Sequence, residues 1–199
     1  MRYFLSLGSN LGDKRKNIAQ ALGLLAQGGV EVLRASSLYR TQPVDYKEQP
    51  WFYNQVVEVS TPLNPYDLLR LTKGIEKRMG RKPTRPSGPR PIDIDILLAE
   101  NWVIQTKRLV IPHPRMQKRN FVLIPFREIS PGTTHPVLKK KISELKKKSA
   151  DSSGVRKLRS LKSENKRALS RKSEKKTSKK RQGGQGSLRR RDEKMRKAA

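Results

Sequence analysis

The amino-acid sequence predicts an α+β domain, a ferredoxin-like sandwich of helices on a mostly antiparallel sheet, followed by a basic tail. The first observation is the order of the predicted elements, which places two helices between four strands and a third helix after them. The second is a change of composition. Apolar clusters and turn signals alternate through residue 138, and almost no aromatic or β-branched residue follows. Together they predict one folded domain with an appendage.

The first half of the domain follows from the spacing of its apolar residues. Residues 3–7 form an apolar run that Gly8 closes, which predicts a strand. Strands are also expected at about 30–38 and 54–61, separated by a long, proline-containing loop over 39–51. Between the first two strands, apolar residues spaced i, i+3, i+4, i+7 predict an amphipathic helix: Ile18, Ala21, Leu22 and Leu25.

The second helix has clear end signals. Asn64 can cap it, Pro65 occupies its first helical position, and a glycine stops it. A loop rich in Pro, Gly and Arg fills 81–91, and a short strand covers 92–98. A third helix is expected over about 116–129.

Charge divides the chain near the same place as composition. Residues 1–138 carry 21 Lys and Arg against 11 Asp and Glu, a net charge of +10. Residues 139–199 carry 25 against 6, a net charge of +19, and the two sum to +29. A segment so basic and so poor in apolar residues cannot bury enough surface to offset the entropy of ordering. We therefore predict a domain over 1–145 and a disordered low-complexity tail over 146–199, which can bind nucleic acid or another polyanion.

Two absences limit the classes of function. The chain contains no cysteine, which excludes disulfides and thiolate metal sites. No apolar run approaches the roughly 20 residues that span a bilayer, and the apolar run at the start is too short for a signal peptide. We expect a cytoplasmic monomer with no membrane partner.

Asp93 and Asp95 form the first candidate site. On a strand, residues i and i+2 point to the same face, so the two carboxylates converge while the flanking Ile residues face the core. Like charges held this close repel unless a cation lies between them, and Mg²⁺ prefers carboxylate and phosphate oxygens. An isolated Asp-x-Asp is more often the solvent side of an exposed strand, so the neighbouring residues decide between the two interpretations.

A cationic loop directly precedes this strand. It covers 80–90, is punctuated by Gly and Pro, and includes Arg81 and Arg90. Arg matches phosphate oxygens bidentately, and cations beside a carboxylate metal site are the recurring parts of phosphoryl transfer. The alternative is a solvated surface loop, which is the weaker interpretation beside an acidic pair.

Two further regions add candidate ligands. His113 lies between two prolines in a basic segment and can donate to a phosphate, although a lone His is more often structural. Segments 41–44 and 49–54 combine aromatic side chains with an amide, which suits stacking on a flat heterocycle and reading its edge. The alternative is that these aromatics complete the domain core.

Six motifs occur in order along the chain: SLGSNLGD at 6–13, YRTQP at 39–43, QPWFYN at 49–54, IEKRMGR at 75–81, GPRPIDIDIL at 88–97 and PHPRM at 112–116. With these motifs the chain resembles the 6-hydroxymethyl-7,8-dihydropterin pyrophosphokinase family of folate biosynthesis. The resemblance covers about residues 3–138, and it is specific because several motifs occur in the right order.

The resemblance implies an enzyme that transfers diphosphate from ATP to 6-hydroxymethyl-7,8-dihydropterin and releases AMP. It implies that Asp93 and Asp95 hold two Mg²⁺ ions, and that Arg81 and Arg90 are catalytic arginines of a mobile loop. The implied ATP-binding residues are Glu76, Arg81, His113 and Arg119. The implied pterin-binding residues are Thr41, Val44, Phe52, Asn54 and Phe121.

Two alternatives stay open at this point. An RNA- or ribosome-binding module fits a ferredoxin-like sheet with a cationic tail, but the strands lack the Gly- and Phe-rich signature of such sheets. The sequence departs from the family pattern at Pro83 and at Pro86-Ser87, and a catalytically weakened homologue that acts as a scaffold fits the departure at Pro86-Ser87. Such a scaffold would bind nucleotide without turnover.

Overall fold

A computed structural model of the protein describes residues 1–44, 46, 48–82 and 88–159. Within these ranges the strands are Arg2–Ser9 (β1), Glu31–Ala35 (β2), Tyr39–Thr41 (β3), Phe52–Ser60 (β4), Asp93–Ala99 (β5), Ile104–Gln105 (β6), Val110–Ile111 (β7) and Val155–Lys157 (β8). The helices are Lys14–Gln27 (α1), Pro65–Arg78 (α2), Asn120–Ile129 (α3) and Ile142–Lys148 (α4), with a 3-10 turn at Met116–Lys118.

The main sheet has the strand order β5-β1-β4-β3-β8, and β2 also pairs with β4. The pairings of these strands are antiparallel. The short strands β6 and β7 pair with each other away from this sheet. The prediction of an α+β fold built on an antiparallel sheet is confirmed.

The central strands send alternate side chains to opposite faces of the sheet. Leu5 and Leu7 of β1 join a buried cluster with residues of α1 and α2, and Ile94 of β5 joins the same cluster. Phe4 of β1 belongs instead to a cluster with α3 and α4, where its ring centroid lies 4.4 Å from that of Phe126. The sheet is therefore the middle layer, with a pair of helices on each face.

Both helices of the first pair begin at side-chain caps. The Oδ1 atom of Asn64 accepts hydrogen bonds from two backbone N–H groups at the start of α2, both at 3.0 Å, and Pro65 follows it as predicted. The carboxylate of Asp13 accepts from the N–H of Lys16 at 3.1 Å, which caps α1. These caps satisfy backbone donors that have no partner within the helix.

Two predicted elements differ from the observed ones. The predicted loop over 39–51 contains β3, which was missed because the strand has only three residues and Pro43 follows closely. The predicted single helix over 116–129 is instead a 3-10 turn followed by α3. The break falls at Arg119, whose backbone is extended, with φ −126° and ψ 106°.

The folded region continues past residue 145, where the sequence prediction ends the domain. Helix α4 extends to Lys148, and β8 adds an edge strand beside β3. Met1–Leu158 form one compact unit. Ordered elements are therefore described past residue 145, since β8 pairs with β3 in a segment whose composition alone predicts disorder. The predicted tail from residue 160 onward lies outside the described residues, as do the departures at 83–87.

No helix within residues 1–44, 46, 48–82 and 88–159 is long and apolar enough to cross a membrane.

Candidate active site

The two carboxylates of β5 lie on the sheet face that also carries α3. Asp93 is opposite Gly8, and Asp95 is opposite Ser6, in the antiparallel pairing of β5 with β1. The small side chains on β1 leave room above the sheet, whereas Ile94 between the two acids is buried on the other face. Both acids border the same cavity, as the spacing of the sequence predicts.

Asp93 is fixed by two arginines. Its Oδ1 atom lies 2.5 Å from the Arg81 guanidinium, and its Oδ2 atom lies 2.7 Å from that of Arg90. Burial opposes ionisation, but the charges of Arg90 and Arg81 hold the pKa of Asp93 below its ordinary value. Asp93 is therefore an anion at neutral pH.

The pKa of Asp95 is shifted in the opposite direction from that of Asp93. Burial and the charge of Asp93 raise the pKa of Asp95 to about 6. Its Oδ2 atom lies 3.9 Å from Nε2 of His113. Two carboxylates this close are stable in the charged form only when a cation lies near both, so the pair fits a divalent metal ion.

Two carboxylates are too few for a closed metal site, but they suit an ion that has other ligands as well. Among the described residues, no group of three His, Cys, Asp or Glu side chains is placed to hold a metal ion. Two carboxylates leave the remaining positions of an octahedral ion for phosphate oxygens and water, which is the usual environment of Mg²⁺ beside a nucleotide.

Glu76 lies behind this pair, and its side chain is 4% exposed. Its Oε1 atom accepts from the N–H of Ile94 at 2.7 Å and from Nζ of Lys73 at 2.9 Å. Its Oε2 atom lies 2.6 Å from the guanidinium of Arg81. Glu76 therefore holds the outer edge of β5 and orients Arg81. Unlike the other predicted site residues, it does not border the cavity.

His113 is positioned through its own loop. Its N–H donates to the carbonyl of Leu97 at 2.9 Å, and its Nδ1 atom accepts from the N–H of Arg115 at 3.2 Å. Burial and the charges of Arg119 and Arg115 lower the pKa of His113 to about 4. The ring is therefore neutral at pH 7, and because Nδ1 accepts, Nε2 carries the hydrogen and can donate into the cavity.

The other end of the cavity is built on β1, β3 and β4. Nδ2 of Asn54 donates to Oγ1 of Thr41 at 2.6 Å, and both side chains are buried. This bond directs Oδ1 of Asn54 toward β1, where a Cβ atom on Gly8 would lie 2.6 Å from it. The absence of a side chain at Gly8 is therefore what allows the amide of Asn54 to sit above the sheet.

Two aromatic rings border the cavity, and each has a guanidinium over its face. The guanidinium carbon of Arg90 lies 5.3 Å from the ring centroid of Phe52. That of Arg119 lies 5.3 Å from the ring centroid of Phe121. Cation–π contacts of this kind hold a ring and a charge in a fixed relation. The Nε atom of Arg90 is buried and has no hydrogen-bond partner among the described residues, so a further acceptor fits there.

The structure thus gathers eleven of the twelve predicted site residues around one cavity of about 250 Å³. They are Thr41, Val44, Phe52, Asn54, Arg81, Arg90, Asp93, Asp95, His113, Arg119 and Phe121. Sequence reasoning missed seven other residues that border it: Ser6, Gly8, Gln42, Pro43, Gln49, Lys73 and Arg115. Most of the seven lie inside or beside the motifs, so the signal was present. Lys73 is the exception, since only the turn of α2 brings it to the site.

A second cavity of about 150 Å³ adjoins the first and was not predicted. Its walls are largely apolar and come from α2, β5 and the segment around β7: Leu69, Ile94, Ile96, Leu109, Val110 and Pro114. Lys73, Asp95 and His113 border both cavities. The acidic pair therefore lies near the junction between a polar cavity and an apolar one.

Comparisons with known proteins find relatives of this chain. The family model for 7,8-dihydro-6-hydroxymethylpterin-pyrophosphokinase (HPPK) matches residues 4–131. The 2-amino-4-hydroxy-6-hydroxymethyldihydropteridine pyrophosphokinase of Bacillus subtilis is 47% identical over 127 residues, which are 63% of this chain and 76% of that protein. The folic acid synthesis protein of Schizosaccharomyces pombe is 44% identical over 142 residues, and these are 71% of this chain but only 19% of that longer protein.

The fold has a solved counterpart as well. A crystal structure of wild-type Plasmodium falciparum HPPK-DHPS with pteroate matches with a TM-score of 0.60 at 20% identity. The match covers 74% of this chain and 42% of that one. At this level of identity, the likeness concerns the fold.

Proposed function

Since this chain belongs to the 7,8-dihydro-6-hydroxymethylpterin-pyrophosphokinase family, we infer that it transfers diphosphate from ATP to 6-hydroxymethyl-7,8-dihydropterin and releases AMP, a step of folate biosynthesis. The observation that carries this inference is the position of Asp93 and Asp95. They lie near the junction of two cavities, one apolar and one lined by cations, an amide and two aromatic rings.

The two substrates are assigned by the chemistry of each cavity. A purine base fits the apolar walls of the smaller cavity, and a bicyclic pterin fits the end bordered by Phe52 and Phe121. Asn54 offers an amide to the pterin edge, and Thr41 and Val44 form the neighbouring wall. The triphosphate then lies between them, beside the carboxylates and within reach of His113 and Arg119.

The transfer follows from this arrangement. The hydroxymethyl oxygen of the pterin attacks the β-phosphorus of ATP, and the bond from that phosphorus to the α,β-bridging oxygen breaks. Asp93 and Asp95 would hold Mg²⁺, two ions by the family resemblance, and the metal would neutralise the charge of the phosphates. Arg81 and Arg90 are oriented by Asp93 and Glu76, so that they meet the phosphates from the loop side. His113 donates from Nε2 as a neutral group.

The scaffold alternative and the binding-module alternative both lack turnover, and a single assay separates them from the enzyme. ATP, 6-hydroxymethyl-7,8-dihydropterin and Mg²⁺ are incubated with the protein, and AMP and pterin diphosphate are measured. The expected result is equal amounts of the two products, with no reaction when the divalent ion is chelated. Release of ADP instead of AMP, or nucleotide binding with no product, would contradict the proposal.

Finer features of the protein are proposals of the same kind. The layering of helix pairs on an antiparallel sheet supports a ferredoxin-like arrangement, and we propose that the protein acts as a cytoplasmic monomer. The charge of residues 160–199, with 16 Lys and Arg against 4 Asp and Glu, supports the binding of this segment to a polyanion such as nucleic acid. Gel shifts with the full chain and with a chain ending at residue 159 test the tail, and equal weak retention of both would end that idea.

A further inference from the structure

Lys73 has a position that neither the motifs nor the predicted site residues include. It lies on α2 and borders both cavities. Among the described residues, no other Lys or Arg borders both. The polar cavity has four other cations around it: Arg81, Arg90, Arg115 and Arg119. The apolar cavity has Arg108. Lys73 therefore lies at the passage between them.

A contact with Glu76 holds the Lys73 ammonium group near the two carboxylates of β5. Its Nζ atom lies 2.9 Å from Oε1 of Glu76, and the same oxygen accepts from the N–H of Ile94 at 2.7 Å. Ile94 stands between the two carboxylates of β5. The contact with Glu76 thus holds the charge of Lys73 beside the strand that carries them. The Lys73 side chain is 47% exposed, so its ammonium group stays accessible to a ligand.

The order of groups in ATP identifies the part of the substrate at this passage. With the base in the apolar cavity and the pterin at the aromatic end of the polar one, the first phosphate past the ribose lies where the cavities meet. That group is the α-phosphate, which leaves as AMP.

We propose that Lys73 binds the α-phosphate of ATP and stabilises AMP as the leaving group, an assignment that rests on the proposed function. When the hydroxymethyl oxygen bonds to the β-phosphorus, the bond from that phosphorus to the bridging oxygen breaks. The electron pair stays on the bridging oxygen, which becomes a terminal oxygen of AMP, and the hydroxyl proton is released to water. Negative charge therefore grows on the α-phosphate, and a fixed ammonium group beside it is stabilising in the transition state.

The test compares AMP with adenosine, because the two differ only in the phosphate. Calorimetric titrations measure both affinities for the wild type, Lys73→Met and Lys73→Arg, with Lys77→Met as the matched control. Lys77 is an exposed lysine one turn further along the same helix. For Lys73→Met we expect AMP affinity to fall about tenfold or more, the usual effect of losing a charged hydrogen bond. Adenosine affinity should not change, and Lys73→Arg should recover most of the loss.

Steady-state kinetics are the second measurement. In Lys73→Met we expect kcat to fall roughly 10- to 100-fold, a partial oxyanion-type loss, while KM for the pterin is unchanged. The proposal is overturned if Lys73→Met keeps the wild-type ratio of AMP affinity to adenosine affinity. Equal losses of affinity for both ligands would give that ratio and would indicate a damaged cavity. If the wild type makes no AMP from ATP and pterin, the proposed function fails instead, and the affinity ratio still reports on Lys73.

Discussion

The two faces of the central sheet are built from the same strands but have different roles. On the face with α1 and α2, Leu5 and Ile94 are buried and have ordinary core neighbours. On the face with α3, Ser6, Asp93 and Asp95 of the same two strands border the cavity. Because side chains alternate along a strand, the packing of one face fixes the positions of the acids on the other. The face with α1 and α2 thus fixes β1 and β5 through buried contacts, and the face with α3 carries the acids.

The largest expected effect comes from removing a charge on the chemical face. Asp95→Ala should lower AMP release by more than roughly 100-fold, since it removes a metal ligand from the transition state. The free energy of unfolding should not fall, because burial and Asp93 already disfavour the charge of Asp95. AMP release and urea unfolding are measured on the same samples. A variant that loses stability along with activity would show that the acids also serve the fold.

The matching change on the other face should do the reverse. Leu5→Ala leaves a void in the core that α1 and α2 cover, and such substitutions cost about 2–5 kcal/mol of unfolding free energy. The KM values for ATP and pterin should stay near those of the wild type, because Leu5 borders neither cavity. Urea unfolding and steady-state kinetics check this. A large change in KM at full folding would mean that the two faces are not separable.

A third change tests the room above β1. Gly8→Ala places a Cβ atom 2.6 Å from Oδ1 of Asn54, so the amide has to move. Overpacking of this kind costs about 1–3 kcal/mol, and we expect a rise in the pterin KM with little change in ATP affinity. Gly23→Ala is the control, since nothing lies within 4 Å of its added Cβ atom. Equal kinetics for both variants would show that the amide has no role in binding.

The smallest effect concerns the edge strand β8, outside both cavities. Glu128 accepts hydrogen bonds from Tyr39, Ser37 and Lys157, each at 2.8 Å. Burial opposes ionisation, but these bonds lower the pKa of Glu128, so its stabilisation is present above its ordinary pKa and is lost as pH falls through the lowered one. Solvent screens the exposed Lys157, so the contribution is about 1 kcal/mol or less.

Denaturation of the wild type and Glu128→Gln at pH 7 and at pH 3 measures this contribution. The wild type should be the more stable at pH 7, and the difference should shrink at pH 3. A difference that grows on acidification would reverse the sign and refute the assignment.

Much of this architecture could be predicted because it depends on local patterns. The alternation of Ile and Asp in β5 places the acids, and Asn64-Pro65 starts α2. The cationic loop lies next to the acids in sequence, so the positions of Arg81 and Arg90 near the acids could be predicted without knowledge of the fold. In these cases the neighbours in space are also neighbours along the chain.

The rest depends on contacts between distant segments. Glu76 resembles a ligand in sequence, but the packing of α2 against β5 buries its carboxylate behind Arg81. The apolar cavity draws its walls from α2, β5 and β7, so no single segment shows it. Strand β8 is a three-residue basic segment that becomes ordered only because the edge of β3 offers it hydrogen bonds. Its place in the sheet could not be read from composition.

The central claim is that Asp93 and Asp95 hold divalent metal ions together with the nucleotide. Electron paramagnetic resonance can count Mn²⁺ bound in the presence of a non-hydrolysable ATP analogue. We expect two ions for each wild-type chain and a loss of bound Mn²⁺ in both Asp93→Ala and Asp95→Ala, with the fold retained in Asp95→Ala. Unchanged Mn²⁺ binding in the two variants would contradict the account.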